Sequence, residues 1–345
     1  MEKMNVAMYY NNKDIRIEKI PIPEINDNEI LVKVIASGIC GSDVMEWYRI
    51  KKAPLVLGHE IAGDIIKVGK KVTKFKVGDR IFATHHVPCN ECEYCKNNKQ
   101  TICETIKKTK YHPGGFAEYL KIPSINIKEG TFLLPKEISY DEGTFIEPLA
   151  CVVRGLKIAR FKPGKSVLIL GSGIAGLLNI KLAKAYGASK IFSTDVEPNR
   201  LKMAKKNGAI LSIDAKENIP EKIMEYNNGK LAELVILCVG IPSALEQAIN
   251  SVEKGGTILL FAPTKPEEKI PIDVFNLWNK QVNIVSTYAA VKNDIIEAIN
   301  LIKYKKIDIN DMITHKLPLK EAQNGFELVR QAKDSIKVIL EPHKK

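Results

Sequence analysis

The segment SVLILGSGIAGLLNI, Ser166 to Ile180, runs from an apolar stretch of strand length into a helical pattern through Gly171, Gly173 and Gly176. The first glycine of such a turn permits the sharp exit from the strand. The second lets backbone N–H groups come close to a phosphate, and the third lets helix and strand pack without a Cβ between them. With Ile174 and Ala175 opening the helix, the segment predicts a pyrophosphate-binding turn at a helix N-terminus. Around it the chain alternates strand runs (KIFSTD, ILSIDA, AELVILCVG, GGTILLFAP, VNIVSTYA) with helical patterns (PNRLKMAKKNGA, SALEQAINSV). Such alternation requires a parallel, doubly wound sheet. Asp195 ends the strand after the glycine turn, where a carboxylate accepts hydrogen bonds from ribose hydroxyls and repels a 2′-phosphate, so NAD is expected. Arg200 nearby argues the other way, because an arginine can accommodate that phosphate.

A chain of 345 residues, 45% hydrophobic and 27% charged, is long enough for two soluble domains. Before about Leu149 the period differs. Short β-branched runs (EILVKVIASG, EIAGDIIKVG, DRIFAT, GFAEYLKIP) broken by glycines predict a strand-rich domain, 1–148, followed by a nucleotide-binding domain, 149–287. The remainder, 288–345, is too small to stand alone and is expected to complete the first domain. The formal charge of +12 comes from dispersed lysines with no basic block, which argues for a solvated surface and against a nucleic-acid partner. No apolar run is long enough for a membrane helix, and MEKMNVAMYY lacks a secretory leader pattern, so a cytoplasmic protein is expected.

Four of the seven cysteines stand in CNECEYCKNNKQTIC. The spacing C-x2-C-x2-C-x7-C of Cys89, Cys92, Cys95 and Cys103 suits four thiolates closing around one structural Zn²⁺, in a lobe of about residues 86–110. A second set is dispersed: Cys40 in SGICGSD, and His59 with Glu60 in VLGHEIAG, are ligand types for a zinc that keeps an open position. Cys238, inside ELVILCVG, reads as a buried strand residue. In TFIEPLACVV both Glu147 and Cys151 are candidate ligands one helical turn apart.

The motifs GHEIAGDIIKVGKKV, GICGSDV, VGDR, GGFAEY and the cysteine lobe, in this order, resemble the zinc-dependent medium-chain alcohol dehydrogenase superfamily across essentially the whole chain. GICGSDV together with EPL is most similar to its polyol (sorbitol-type) branch. The resemblance implies an α/β two-domain protein with a GroES-like catalytic domain beside a Rossmann domain, two zinc ions per chain, and assembly as a dimer or tetramer. It also implies that Cys40 and His59 bind the catalytic zinc. Glu60 is then a ligand or a nearby carboxylate. Ser42 hydrogen-bonds the substrate oxygen and passes its proton outward, and Asp43 orients His59. In polyol-type relatives the glutamate of EPL faces the zinc directly or through water, which points to Glu147, with Pro148 at the first position of the helix and Cys151 as packing. The implied reaction is oxidation of a secondary alcohol with hydride transfer to NAD.

One departure stands out. Where many relatives place a proton-accepting histidine three residues after the serine, this chain has Met45. Trp47, Tyr48 and Arg49 are candidate pocket residues, and Arg49, Lys51 and Lys52 would suit a phosphorylated polyol. His86, three residues before Cys89, matches a histidine of threonine 3-dehydrogenases and makes L-threonine the second substrate candidate. From another class, a catalytically silent NAD- and zinc-binding sensor or scaffold remains as an alternative; Cys40, Ser42, His59 and Glu60 together argue against it.

Overall fold

The computed structural model describes residues 2–344. The chain divides into two compact units, residues 1–150 with 289–345, and residues 151–288.

The first unit is built on strands. A seven-stranded sheet contains β1 (Ile30–Gly38) and β2 (Glu60–Val68), paired antiparallel so that Gly38 lies opposite Glu60. The C-terminal strand Lys337–Glu341 pairs antiparallel with the end of β1, so the tail of the chain lies beside residues 37 and 38. Ile30, Val32, Val34, Ile61, Ile65 and Ile81 bury their side chains in one core, as alternation along half-buried strands requires. A separate three-stranded sheet pairs Lys3–Asn11 with Asp14–Pro21 and Leu55–Val56. Helix α1 (Ile146–Ile158) begins in this unit. Pro148 is its third residue, not the first as expected. A missing N–H still costs nothing in the first turn, because no carbonyl precedes it in register.

The second unit is a six-stranded parallel sheet. In chain order its strands are β3 (Ser166–Leu170), β4 (Lys190–Asp195), β5 (Leu211–Asp214), β6 (Ala232–Leu237), β7 (Val252–Leu260) and β8 (Asn283–Ser286). They lie in the order β5-β4-β3-β6-β7-β8, with every neighbouring pair parallel. The doubly wound Rossmann arrangement puts β3 at the centre, and all five of its residues are buried. This is why SVLIL reads as a continuous apolar run and not as an alternating one. Cys238 lies one residue past β6 and is only half-buried, a correction to its reading as a buried strand residue. Helix α2 (Ile174–Ala185) follows the glycine turn, and α3 (Val274–Asn279) precedes β8, capped by Asp273, whose carboxylate accepts the Asn276 N–H at 3.0 Å. No helix among the described residues is long and apolar enough to cross a membrane.

Candidate active site and metal centres

The cysteine lobe is held by short turns. Asn90 and Asn98 adopt left-handed backbone (φ 61° and 58°), a conformation asparagine tolerates better than most residues, and these bends fold the segment back on itself. Cys89 Sγ accepts N–H groups from Glu91 at 3.4 Å and Cys92 at 3.3 Å, and Cys103 Sγ accepts the Cys89 N–H at 3.5 Å. Backbone donors aimed at sulfur favour the thiolate, and they hold Cys89 below the usual thiol range; burial and the Cys92 sulfur push Cys95 up. The sulfurs lie 3.6 Å (Cys92 to Cys95), 3.6 Å (Cys89 to Cys103) and 4.0 Å (Cys89 to Cys95) apart. A tetrahedron with Zn–S bonds of ~2.3 Å has edges of about 3.8 Å, so these residues fit one zinc with no open position.

A second group forms where β1 and β2 meet. Cys40, two residues past β1, caps a short turn of 3-10 helix, Gly41–Val44. Its sulfur accepts the Ser42 N–H at 3.4 Å, and its own N–H donates to Asp43 Oδ2 at 3.1 Å. His59 and Glu60 enter at the start of β2. The Cys40 sulfur, a His59 ring nitrogen and a Glu60 carboxylate oxygen lie within 4.8 Å of one another. One thiolate, one imidazole and one carboxylate so disposed fit a zinc that keeps a fourth position open. Buried Asp43 sits 3.4 Å from His59 Nδ1. That contact fixes the ring and directs its other nitrogen toward a metal.

Two basic side chains complete the group. Arg49 donates from Nε to the Ser42 carbonyl at 3.0 Å and from Nη2 to Ser42 Oγ at 2.9 Å, and Nη2 lies 3.3 Å from Asp43 Oδ1. Lys337, fully buried, pairs through Nζ with Glu60 Oε2. A Cβ at position 38 would collide with both of those atoms, which explains the glycine that ends β1.

Glu147 is buried in the first turn of α1 and lies outside the group formed by Cys40, His59 and Glu60; it acts electrostatically on the buried Tyr111 phenol, helping to keep it protonated. His85 stacks between His59 and His86, with ring centroids at 4.9 and 3.6 Å. Burial and the nearby His59 and Arg49 charges hold His86 down at about 3, and burial lowers His85 as well. Trp47 is half-buried, and Tyr48 is exposed beneath the Arg49 guanidinium at 4.8 Å. Lys51 and Lys52 are exposed. Sequence reasoning missed His85 and Lys337. The signal for the first was its place beside His86, and for the second a lysine inside the apolar run of the final strand.

In the second unit Gly171 has φ +93°, and a Cβ at Gly176 would collide with the Gly171 carbonyl. Both positions therefore need glycine for the reasons expected of them. Asp195 braces the turn: Oδ2 accepts the Ser172 N–H at 2.8 Å, and Oδ1 accepts those of Val196 at 2.8 Å and Glu197 at 3.0 Å. Oδ2 keeps a lone pair for a further donor, while both of those on Oδ1 are taken. A Cβ at Gly173 would lie 3.5 Å from Arg200 Nη1, so the guanidinium stands beside the turn. A turn of this build, with backbone N–H groups opening α2, fits a dinucleotide pyrophosphate.

Residues 26–129 match the family model for the alcohol dehydrogenase GroES-like domain, and residues 175–304 match that for zinc-binding dehydrogenases. Sorbitol dehydrogenase of Bacillus subtilis is 33% identical, over 99% of this chain and 98% of that protein. D-xylulose reductase A of Aspergillus niger is 34% identical, over 92% and 91%. Among solved structures, 2R,3R-butanediol dehydrogenase from Bacillus subtilis superposes with a TM-score of 0.86 at 26% identity, covering 99% of this chain and 100% of that one. A zinc-binding dehydrogenase from Sinorhizobium meliloti bound to NADP gives a TM-score of 0.88 at 26% identity, with coverage of 99% and 100%.

Proposed function

The chain belongs to the zinc-dependent alcohol dehydrogenase family, in its sorbitol dehydrogenase-like branch, and from that premise we propose that it oxidises a polyol or vicinal diol to the ketone with NAD as hydride acceptor. The observation that carries the substrate class is the donor set of Cys40, His59 and Glu60. A single thiolate leaves the metal a harder Lewis acid, suited to a substrate offering two adjacent oxygens. The relatives named for sorbitol, xylulose and butanediol support the same reading.

Cys40, His59 and Glu60 would hold the catalytic zinc, with Glu147 supplying a further carboxylate directly or through water. Cys89, Cys92, Cys95 and Cys103 would hold the structural one. Bound zinc supplies Lewis acidity and NAD supplies the hydride acceptor. Ser42 hydrogen-bonds the substrate oxygen, accepts its proton and releases its own outward, while Asp43 keeps His59 in one tautomer. Gly171, Gly173, Ile174, Ala175 and Gly176 cradle the pyrophosphate. Asp195 receives the ribose hydroxyls and disfavours a 2′-phosphate, with Arg200 beside the turn. Residues 1–148 and 288–345 act as the catalytic domain of a cytoplasmic enzyme, and 149–287 as its cofactor domain.

A second copy of the chain is the expected partner. Strand β8 ends the parallel sheet with its outer edge unpaired among the described residues, and α3 beside it exposes Phe275 and Trp278, each 72% accessible. An apolar open edge of this kind suits antiparallel pairing across a twofold axis.

The test combines metal analysis with a panel of sorbitol, xylitol, 2,3-butanediol, L-threonine and ethanol, each with NAD and with NADP. About two zinc ions per chain and preferred turnover of the polyols or the diol with NAD are expected. Preference for L-threonine would favour the second reading, which rests on His86 stacked in the site. Binding of NAD and zinc with no turnover on any of these would point to a sensor or scaffold instead.

A further inference from the structure

We propose that Arg49 is the positioning residue of the proton-transfer step, acting through the Ser42 hydroxyl; this rests on the reading above. Its guanidinium is fixed on three sides. Nε and Nη2 grip the carbonyl and the hydroxyl of Ser42 at 3.0 and 2.9 Å, Nη2 reaches Asp43 Oδ1 at 3.3 Å, and the cation lies over the Tyr48 ring at 4.8 Å. Only 16% of the Arg49 side chain is accessible. A guanidinium so placed is a directional donor and not a mobile surface charge.

A serine hydroxyl has one hydrogen and two lone pairs. Arg49 occupies one lone pair, so rotation about the Cβ–Oγ bond can no longer present that pair elsewhere. The second lone pair is left for the substrate hydroxyl hydrogen, and the serine hydrogen must point away from Arg49. When the substrate O–H bond breaks, its proton joins Ser42 Oγ as the serine hydrogen departs to water, and the electron pair stays on the substrate oxygen. Arg49 remains protonated throughout, since a guanidinium holds its charge. This geometry answers the absence of a histidine at Met45. Arg49 orients the Ser42 hydroxyl, and the accepting work of that histidine is left to solvent.

A double-mutant cycle on the zinc-loaded enzyme with the best polyol substrate tests this. Arg49→Gln should lower kcat about 100-fold with little change in KM, and Ser42→Ala should lower it at least as far. The double variant should be no slower than Ser42→Ala alone, because Arg49 has nothing left to position. Arg49→Lys keeps the charge without the two-point grip and should recover only part of the loss; it also serves if Arg49→Gln does not fold. Guanidinium chloride should partly restore Arg49→Gln and have no effect on the double variant. Zinc content, read independently of activity, should equal that of the wild type in every variant. Additive losses, complete recovery in Arg49→Lys, or loss of one zinc from Arg49→Gln would overturn the inference. A wild type inactive on the whole panel would overturn the reading beneath it as well.

Discussion

Lys337 pairs with Glu60 across 277 residues of sequence, and neither side chain is more than 1% accessible. The lysine also donates to the Thr144 carbonyl at 3.4 Å and lies over the Phe145 ring at 5.0 Å. A buried carboxylate next to a metal group needs a counter-charge, and here the last strand delivers it. Lys337→Met removes the cation while keeping most of the volume. It should destabilise the fold by about 3–5 kcal/mol, the range for a buried pair broken from one side. Urea unfolding of the zinc-loaded protein measures this. Gly38→Ala should act in the same direction, because the new methyl occupies the space of the pair. Unchanged unfolding midpoints in both variants would show that the pairing carries no stability.

The cysteine lobe should behave as a local fold held by its metal. Cys95→Ser is expected to reduce zinc from about two ions per chain to about one and to lower the melting temperature. Limited proteolysis should then cut between Cys89 and Cys103 and leave the rest of the chain intact. Retention of both zinc ions in this variant would remove the basis for a four-thiolate site.

Glu147 and Cys151 stand one turn apart on α1, yet only the glutamate is expected to matter for turnover. Glu147→Ala should reduce kcat by at least 100-fold, an ordinary loss for a group that stabilises charge at the reacting centre. Cys151→Ser should stay close to wild type. The opposite pattern would mean that the thiol is the group serving the metal.

Asp43 provides a pH signature. Burial alone would push its carboxyl up, but the charges of His59 and Arg49 and the Cys40 N–H hold it below the usual carboxylate range. A carboxyl depressed in the folded state contributes stability that is complete above its unfolded value, near 4, and is lost as the pH falls through the lower folded value. A metal on the far nitrogen of His59 leaves the Nδ1–H donor in place, so the sign is the same. Asp43→Asn should therefore be less stable than wild type at pH 5 to 7, and the gap should close as the pH falls below about 4. A gap that widens on acidification would contradict the assignment.

The proposed function makes Asp195 the residue that selects the cofactor. Asp195→Gly removes the carboxylate that disfavours a 2′-phosphate, leaves Arg200 beside the turn, and loosens the Ser172 contact. The expected result is a weaker KM for NAD and a stronger one for NADP, by about tenfold in their ratio for ~1.4 kcal/mol. An unchanged ratio would show that another group selects the cofactor.

Motifs spread along the whole chain carried the resemblance to the family, while local pattern alone determined the parallel sheet, the glycine turn and the cysteine lobe. Each of these depends on residues close together in sequence, whose spacing is dictated by backbone geometry. A thiolate cluster within fifteen residues and a glycine turn at a strand–helix junction leave little for the rest of the chain to decide. What the tertiary structure alone decided are the partners brought in from elsewhere. Lys337 reaches Glu60 because the final strand pairs with the end of β1, and the rings of His59 and His85 meet because two segments converge. Arg49 is a further case: as a sequence it read as a candidate pocket residue suited to a phosphorylated polyol, whereas most of its donors go to Ser42 and Asp43. Burial sets such pairings, since a charge taken out of water must find a partner wherever the fold has placed one, and sequence spacing carries no record of that placement.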